Sequence, residues 1–138
     1  MNAPRIAELL GHPMVLEALE NAWADSLGDD PILRHEEGGW IYSDVTAGSL
    51  IIRRAASGGQ ADLDLESPPI IEGAVVVATF HTHPNPTSEG WEPGPSAGDI
   101  HSAILLGVPC LIRADNGIYT TGPNARRGGL AGEPGFPR

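Results

Sequence analysis

Apolar residues recur three and four apart through residues 13–26, where Val15, Leu16, Leu19 and Trp23 interleave with Glu17, Glu20, Asn21 and Asp25. This period predicts an amphipathic helix, with Pro13 suited to its first turn and Gly28 to its end. The pattern then switches to alternation. Two β-rich runs, near 39–45 and 49–55, flank Thr46-Ala47-Gly48 and predict a hairpin. Residues 57–73 are acidic and rich in turn formers, and read as a loop. The run from Ala74 to Phe80 is apolar, as in a central strand covered on both faces, and leads into His81-Thr82-His83-Pro84, where proline would end the ladder. Residues 84–95 are dense in Gly and Pro and form a second loop. From Ser96 to Leu106 the residues Ile100, Ala103, Ile104 and Leu106 return to helical spacing, and Gly107 closes the segment. Val108–Ala114 and Ile118–Thr121 then flank Asp115-Asn116-Gly117, whose Asn-Gly is a strong hairpin signal. The elements predict one α/β domain over residues 1–121, followed by an irregular tail at 122–138.

Composition sharpens this picture. The 138 residues suffice for one compact domain with a real core. The 18 Gly and 13 Pro exceed ordinary usage, but they concentrate in residues 84–95 and 122–138. With 41% apolar residues and three Trp, the chain is no disordered tail. No apolar run approaches the roughly 18 residues that a membrane span needs. The N-terminus has no basic stretch followed by an apolar one, so no secretory signal is visible. A formal charge of −10 repels phosphate backbones, which argues against nucleic acid and in favour of a basic peptide or protein tail as partner. Cys110 is the only cysteine, so neither an intrachain disulfide nor a four-cysteine zinc site can form, and a cytoplasmic setting is expected. Cys110 sits within Val108-Pro109-Cys110-Leu111-Ile112 and reads as a buried strand residue rather than a nucleophile. The bias towards Ala, Gly, Arg and Pro, with no Lys, suggests a GC-rich and therefore bacterial genome.

One constellation carries candidate chemistry. Residues i and i+2 of a strand share a face, so His81 and His83 project together from the end of the apolar run. Asp99, in the first turn of the following helix, is placed to add an oxygen ligand. Two imidazoles and one carboxylate leave a fourth tetrahedral position open, as in catalytic rather than structural zinc sites. Such a zinc ion lowers the pKa of a bound water from about 15.7 towards about 7, and a further carboxylate is needed to handle the proton. Glu36-Glu37, before the first strand, offers that carboxylate. Each part has a simpler alternative. His-x-His can be incidental, Ser96-x-x-Asp99 is also a helix-capping box, and Glu36-Glu37 can be a solvated pair. It is the conjunction and its order that favour chemistry.

The set Glu36-Glu37-Gly38-Gly39-Trp40-Ile41-Tyr42, Phe80-His81-Thr82-His83-Pro84 and Ser96-Ala97-Gly98-Asp99 resembles the JAMM (MPN-plus, JAB-domain) metalloprotease family. The resemblance spans roughly residues 13–121. It implies a cytidine-deaminase-like fold, a mixed β-sheet flanked by helices, and a zinc-dependent peptidase or isopeptidase. It also implies that His81, His83 and Asp99 bind Zn2+, that Ser96 supports the developing oxyanion, and that the upstream Glu is the general base. The family Glu lies three residues before the strand's Gly, which matches Glu36 with Gly39, leaving Glu37 as the alternative. The spacing from His83 to Ser96 is longer than in many members, so the stretch around Trp91 is either a substrate-binding flap or padding. His12, His35 and His101 read as incidental. Bacterial members of this size act on ubiquitin-like modifiers or their conjugates, some in antiphage conjugation systems. The expected substrate is therefore the C-terminal tail of such a modifier, cleaved in deconjugation or precursor processing. Two rivals are a toxin or effector peptidase domain, against which the initiating Met and the chain's own first helix argue, and a non-catalytic scaffold, which would usually have lost its ligands. A zinc nucleoside deaminase would need His-x-Glu and paired cysteines.

Overall fold

The alternation of β1 (Gly38–Asp44) decides what lies on each side of the sheet. β1 pairs antiparallel with β2 (Leu50–Arg54) on one side and with β3 (Ala74–His83) on the other. β3 runs parallel to β4 (Cys110–Ala114), which turns back into β5 (Gly117–Thr121). β6, the two residues Gly129–Leu130, pairs with β5, and the sheet order is β2-β1-β3-β4-β5-β6. The computed structural model describes residues 3–123 and the backbone of 129–130. The remainder of the 122–138 tail lies outside the described residues. The chain is thus a single small α/β domain around a mixed sheet, and no helix among the described residues is long and apolar enough to cross a membrane.

One face of the sheet is covered by α2 (Pro13–Asp25), preceded by the short α1 (Ile6–Leu10). Val15, Leu19 and Ala22 are fully buried against Ile41, Ala78, Phe80 and Leu111. Burying a side chain such as Leu19 contributes about 1.5–3 kcal/mol relative to leaving it in water. His12 caps α2, its Nδ1 accepting the Met14 amide at 3.2 Å. On the opposite face, α3 (Ala97–Leu106) places Ala103 against Cys110, Ile112 and Tyr119. Parallel β3 and β4 need a long crossover, and α3 with its preceding loop supplies it.

Beside α3, the same face is covered by the acidic segment that follows β2. Two aromatic side chains of β1 hold it there through their polar ends. Trp40 donates its indole N–H to the Leu65 carbonyl at 2.9 Å, and Tyr42 donates its hydroxyl to the Pro69 carbonyl at 2.6 Å. The hairpin after β4 turns on Asp115-Asn116, one residue earlier than its Asn-Gly signal suggests. Gly117 already pairs with Ala114, at φ 140°, a value that favours glycine.

Candidate metal centre

Gly38 stands opposite His81 in the β1–β3 register, and a Cβ there would lie 2.2 Å from the Phe80 carbonyl oxygen. Only glycine lets the strands come this close. The pairing continues outward by one further bond, from the Thr82 amide to the Glu37 carbonyl at 2.9 Å. Glu37 is therefore level with Thr82 and Glu36 with His83. Because alternate residues face opposite sides, Glu36 shares a face with His81 and His83, whereas Glu37 shares one with Thr82.

The two glutamates consequently meet different surroundings. Ligating atoms of Glu36, His81 and His83 all lie within 4.8 Å of one another, a set able to hold a metal ion. Glu36 is only 6% exposed, and no hydrogen bond among the described residues ends on its carboxylate. Burial lifts its pKa above the usual carboxylate value. The nearby Asp99 and Asp62 add to this, and His81 and His83 pull against it. Glu37, equally buried, is fully engaged. Its carboxylate accepts from Arg54 at 2.6 Å, from His35 at 2.6 Å and from the Ser57 hydroxyl. Those bonds outweigh burial and lower its pKa.

Asp99 completes the cluster from α3. Ser96 is the helix N-cap, its Oγ accepting the Asp99 amide at 3.1 Å while its own amide donates to Asp99 Oδ2 at 2.9 Å. This capping box aims the Asp99 carboxylate at both imidazoles, with Oδ1 3.1 Å from His81 Nε2 and Oδ2 3.1 Å from His83 Nε2. The two Nε2 atoms are themselves 3.1 Å apart. Burial favours a protonated Asp99, but the His81 charge and these hydrogen bonds hold the carboxyl well below the usual range. Burial likewise disfavours charge on His81, yet Cys110 and Asp99 outweigh it and raise its pKa. A positive charge is thus favoured at the centre of the cluster, and a divalent cation supplies one. Each Nε2 thus has the other and one Asp99 oxygen at 3.1 Å, and imidazole nitrogens and carboxylate oxygens are donors that divalent metal ions accept.

The outer nitrogens are fixed as well, which sets the tautomers. His83 Nδ1 lies 3.1 Å from the Pro93 carbonyl, which can only accept, so in the neutral ring the Nε2 lone pair faces the cluster. His81 Nδ1 lies 3.4 Å from Cys110 Sγ. Neither partner carries a sequence signal for the site: Cys110 is the buried strand residue that its apolar run predicts, and its contact with His81 depends on the β3–β4 pairing.

Pro93 belongs to the 84–95 loop, which is tied down along its length. Asn85 exchanges two hydrogen bonds with Gln60, Thr87 bonds Asp115, Glu89 pairs with Arg34, and Pro93 meets His83. Together with residues 61–66 and the start of α3, this loop encloses a cleft of about 930 Å³ lined in part by Glu36, His83, Ser96 and Asp99. His101, exposed, also lines it. His35, read as incidental, binds Glu37 and the Leu33 carbonyl. In comparison with known proteins, the chain matches no family model, no curated protein and no solved structure.

Proposed function

We propose that the chain is a zinc-dependent peptidase or isopeptidase of the JAMM type, in a cytidine-deaminase-like fold, acting on the C-terminal tail of a ubiquitin-like modifier in the cytoplasm. The observation that carries this function is the convergence of Glu36, His81, His83 and Asp99 at one cleft floor, with Glu36 buried and free of hydrogen bonds. His81, His83 and Asp99 would hold the ion. When bound, zinc supplies a water of lowered pKa and a Lewis acid for the scissile carbonyl.

The chain's own residues perform the remaining steps. Glu36, with its pKa lifted towards the working range of a general base, takes the proton of the attacking water and returns it to the leaving amine. The Ser96 oxygen is used as the acceptor in its capping bond, while its hydroxyl proton has no acceptor among the described residues. That proton is available to donate to the carbonyl oxygen as negative charge develops there. The helix cap and the oxyanion donor are therefore one residue using different parts of its hydroxyl. Gly90, Gly94 and Gly98 line the cleft and allow an extended substrate backbone to lie close to the walls.

The test is hydrolysis of two substrates by the zinc-loaded chain: a modifier with a short C-terminal extension, and the same modifier joined through an isopeptide bond to lysine. Cleavage after the modifier's last residue, abolished by a zinc chelator and by Asp99→Asn, is the expected result. An intact modifier in both assays, from a preparation shown to contain zinc, would contradict the function.

A further inference from the structure

The short segment before β1 that carries Glu36 has no regular structure, yet its amides are bonded to three separate parts of the chain. The His35 amide donates to the Ser26 carbonyl at 3.0 Å, and the Glu36 amide to the Gly59 carbonyl at 2.8 Å. The peptide unit between Glu36 and Glu37 is held at both of its polar ends. Its carbonyl accepts the Gly58 amide at 2.9 Å, and its N–H donates to Thr82 Oγ1 at 3.0 Å. The regular β1–β3 ladder ends one residue earlier, with Gly38 opposite His81. A side-chain oxygen therefore does here what a strand carbonyl does elsewhere. That hydroxyl is fully buried, on the face of β3 opposite His81 and His83. Its own proton is also placed. Ser26 Oγ donates to the Ala22 carbonyl at 2.8 Å, so in the 2.6 Å bond between the two hydroxyls Thr82 donates and Ser26 accepts. The bonds run in one sense, from the Glu37 amide through Thr82 and Ser26 to the last turn of α2, and bonds in such a chain strengthen one another. An apolar pair of the same shape would fill this space at little cost. What the two hydroxyls add is direction.

We infer that Thr82 and Ser26 are positioning residues for Glu36, acting from behind the strand through the Glu37 amide. No hydrogen bond among the described residues ends on the Glu36 carboxylate, so its aim depends on its backbone. Turning the 36–37 peptide plane changes the Glu36 backbone angle and swings the carboxylate relative to His81 and His83. A displacement of about 1 Å at a reacting group can cost about 10²-fold in rate. The inference rests on the proposed peptidase function, with Glu36 as general base, but the placing of Glu36 can be read without hydrolysis.

The experiment uses the full zinc-loaded chain with Thr82→Val, which keeps the shape and removes the hydroxyl, and Thr82→Ser, which keeps the hydroxyl. On the modifier with a C-terminal extension, Thr82→Val should lower kcat about 10- to 100-fold, leave KM within about twofold and retain its zinc. Thr82→Ser should recover most of that loss. In a Glu36→Gln background Thr82→Val should change the residual rate by less than about twofold, because residues that act through one another are not additive. Ser26→Ala leaves the Glu37 amide bonded but takes away the acceptor that orients the Thr82 hydroxyl. It should give a smaller loss in the same direction, and it carries the test if Thr82→Val does not fold. Two NMR readings on the same proteins need no hydrolysis. The Glu37 amide should exchange with solvent about tenfold faster or more in Thr82→Val, and the Glu36 carboxyl carbon resonance should shift, both returning towards the parent in Thr82→Ser. An unchanged kcat in Thr82→Val, an equal loss in the Glu36→Gln background, or an unmoved Glu36 resonance would overturn the inference. The NMR changes in a chain that cleaves nothing would uphold the positioning and count against the peptidase function. Cleavage by the parent and by Thr82→Val at the same rate would do the reverse.

Discussion

Two clusters, built from neighbouring glutamates and nearby histidines, lie on opposite sides of one strand and are in opposite electrostatic states. The Glu37 carboxylate is fully engaged. Arg54, His35 and Ser57 surround its carboxylate, and Thr82 Oγ1 receives its amide at 3.0 Å while bonding Ser26 at 2.6 Å. Around Glu36 two imidazoles and two carboxylates converge with no Arg or Lys among them, and the Glu36 carboxylate accepts no hydrogen bond from the described residues. The satisfied cluster locks the β1–β3 register, and the register holds the unsatisfied one in place. A buried carboxylate with full hydrogen bonding is a structural device. One without it is poised for a ligand or a proton.

The sharpest way to break this contrast is to neutralise each glutamate in turn. Glu36→Gln should lower hydrolysis by about 10²- to 10⁴-fold, keep zinc, and leave the denaturant midpoint unchanged or raised, since it removes a buried unpartnered charge. Glu37→Gln should keep hydrolysis within several-fold of the parent but cost about 3 kcal/mol, the low end for a broken buried pair because Arg54 and His35 remain partly in water. Urea titrations and initial rates on both variants check the pair, and an exchange of the two phenotypes would move the general base to Glu37.

A smaller effect is expected behind His81. Cys110→Ala removes the partner of its Nδ1 and should weaken zinc binding by about 10- to 100-fold, the cost typical of lost support to a metal ligand. Competition against a chromophoric chelator measures this. Cys110→Ser, which restores a donor and acceptor, should recover part of the loss.

The smallest effect concerns pH and belongs to the Glu37 cluster. Glu37 titrates below its reference value of 4.5, so its contribution is present above that value and is lost as pH falls through the folded-state pKa. His35 titrates above its reference value of 6.5, raised first by its bond to Leu33 and then by Glu37, so its contribution is present below 6.5 and is lost as pH rises through the folded-state pKa. Both contributions are complete between about pH 4.5 and 6.5. The stability difference between the parent and Glu37→Gln should be largest in that window and shrink on either side.

Much of this architecture is legible in the sequence, for physical reasons that can be stated. The apolar run ending in His81-Thr82-His83 announces a strand with two histidines on one face, and Ser96-Ala97-Gly98-Asp99 announces a capped helix. Both depend on local periodicity. The choice between Glu36 and Glu37 depends instead on register, which Gly38 sets only once it is known to oppose His81. The five-residue α1 is too short to show a period and is held by burial of Leu9. The engaged state of Cys110 comes from strands brought together by the sheet, His81 lying 29 positions away, whereas His35 bonds Leu33 and Glu37, each two positions away, in a segment with no period to show it. The 84–95 loop, read as flap or padding, is anchored at several points by partners distant in sequence.

The central claim, that His81, His83 and Asp99 form a metal centre beside Glu36, is tested most directly by the zinc content of the purified chain after dialysis against trace zinc. One zinc per chain is expected in the parent and in Glu36→Gln, and none in His83→Ala or Asp99→Asn, with all four proteins folded by circular dichroism. A folded parent protein that retains no zinc, or a zinc ion that persists after loss of His83 and of Asp99, would contradict it.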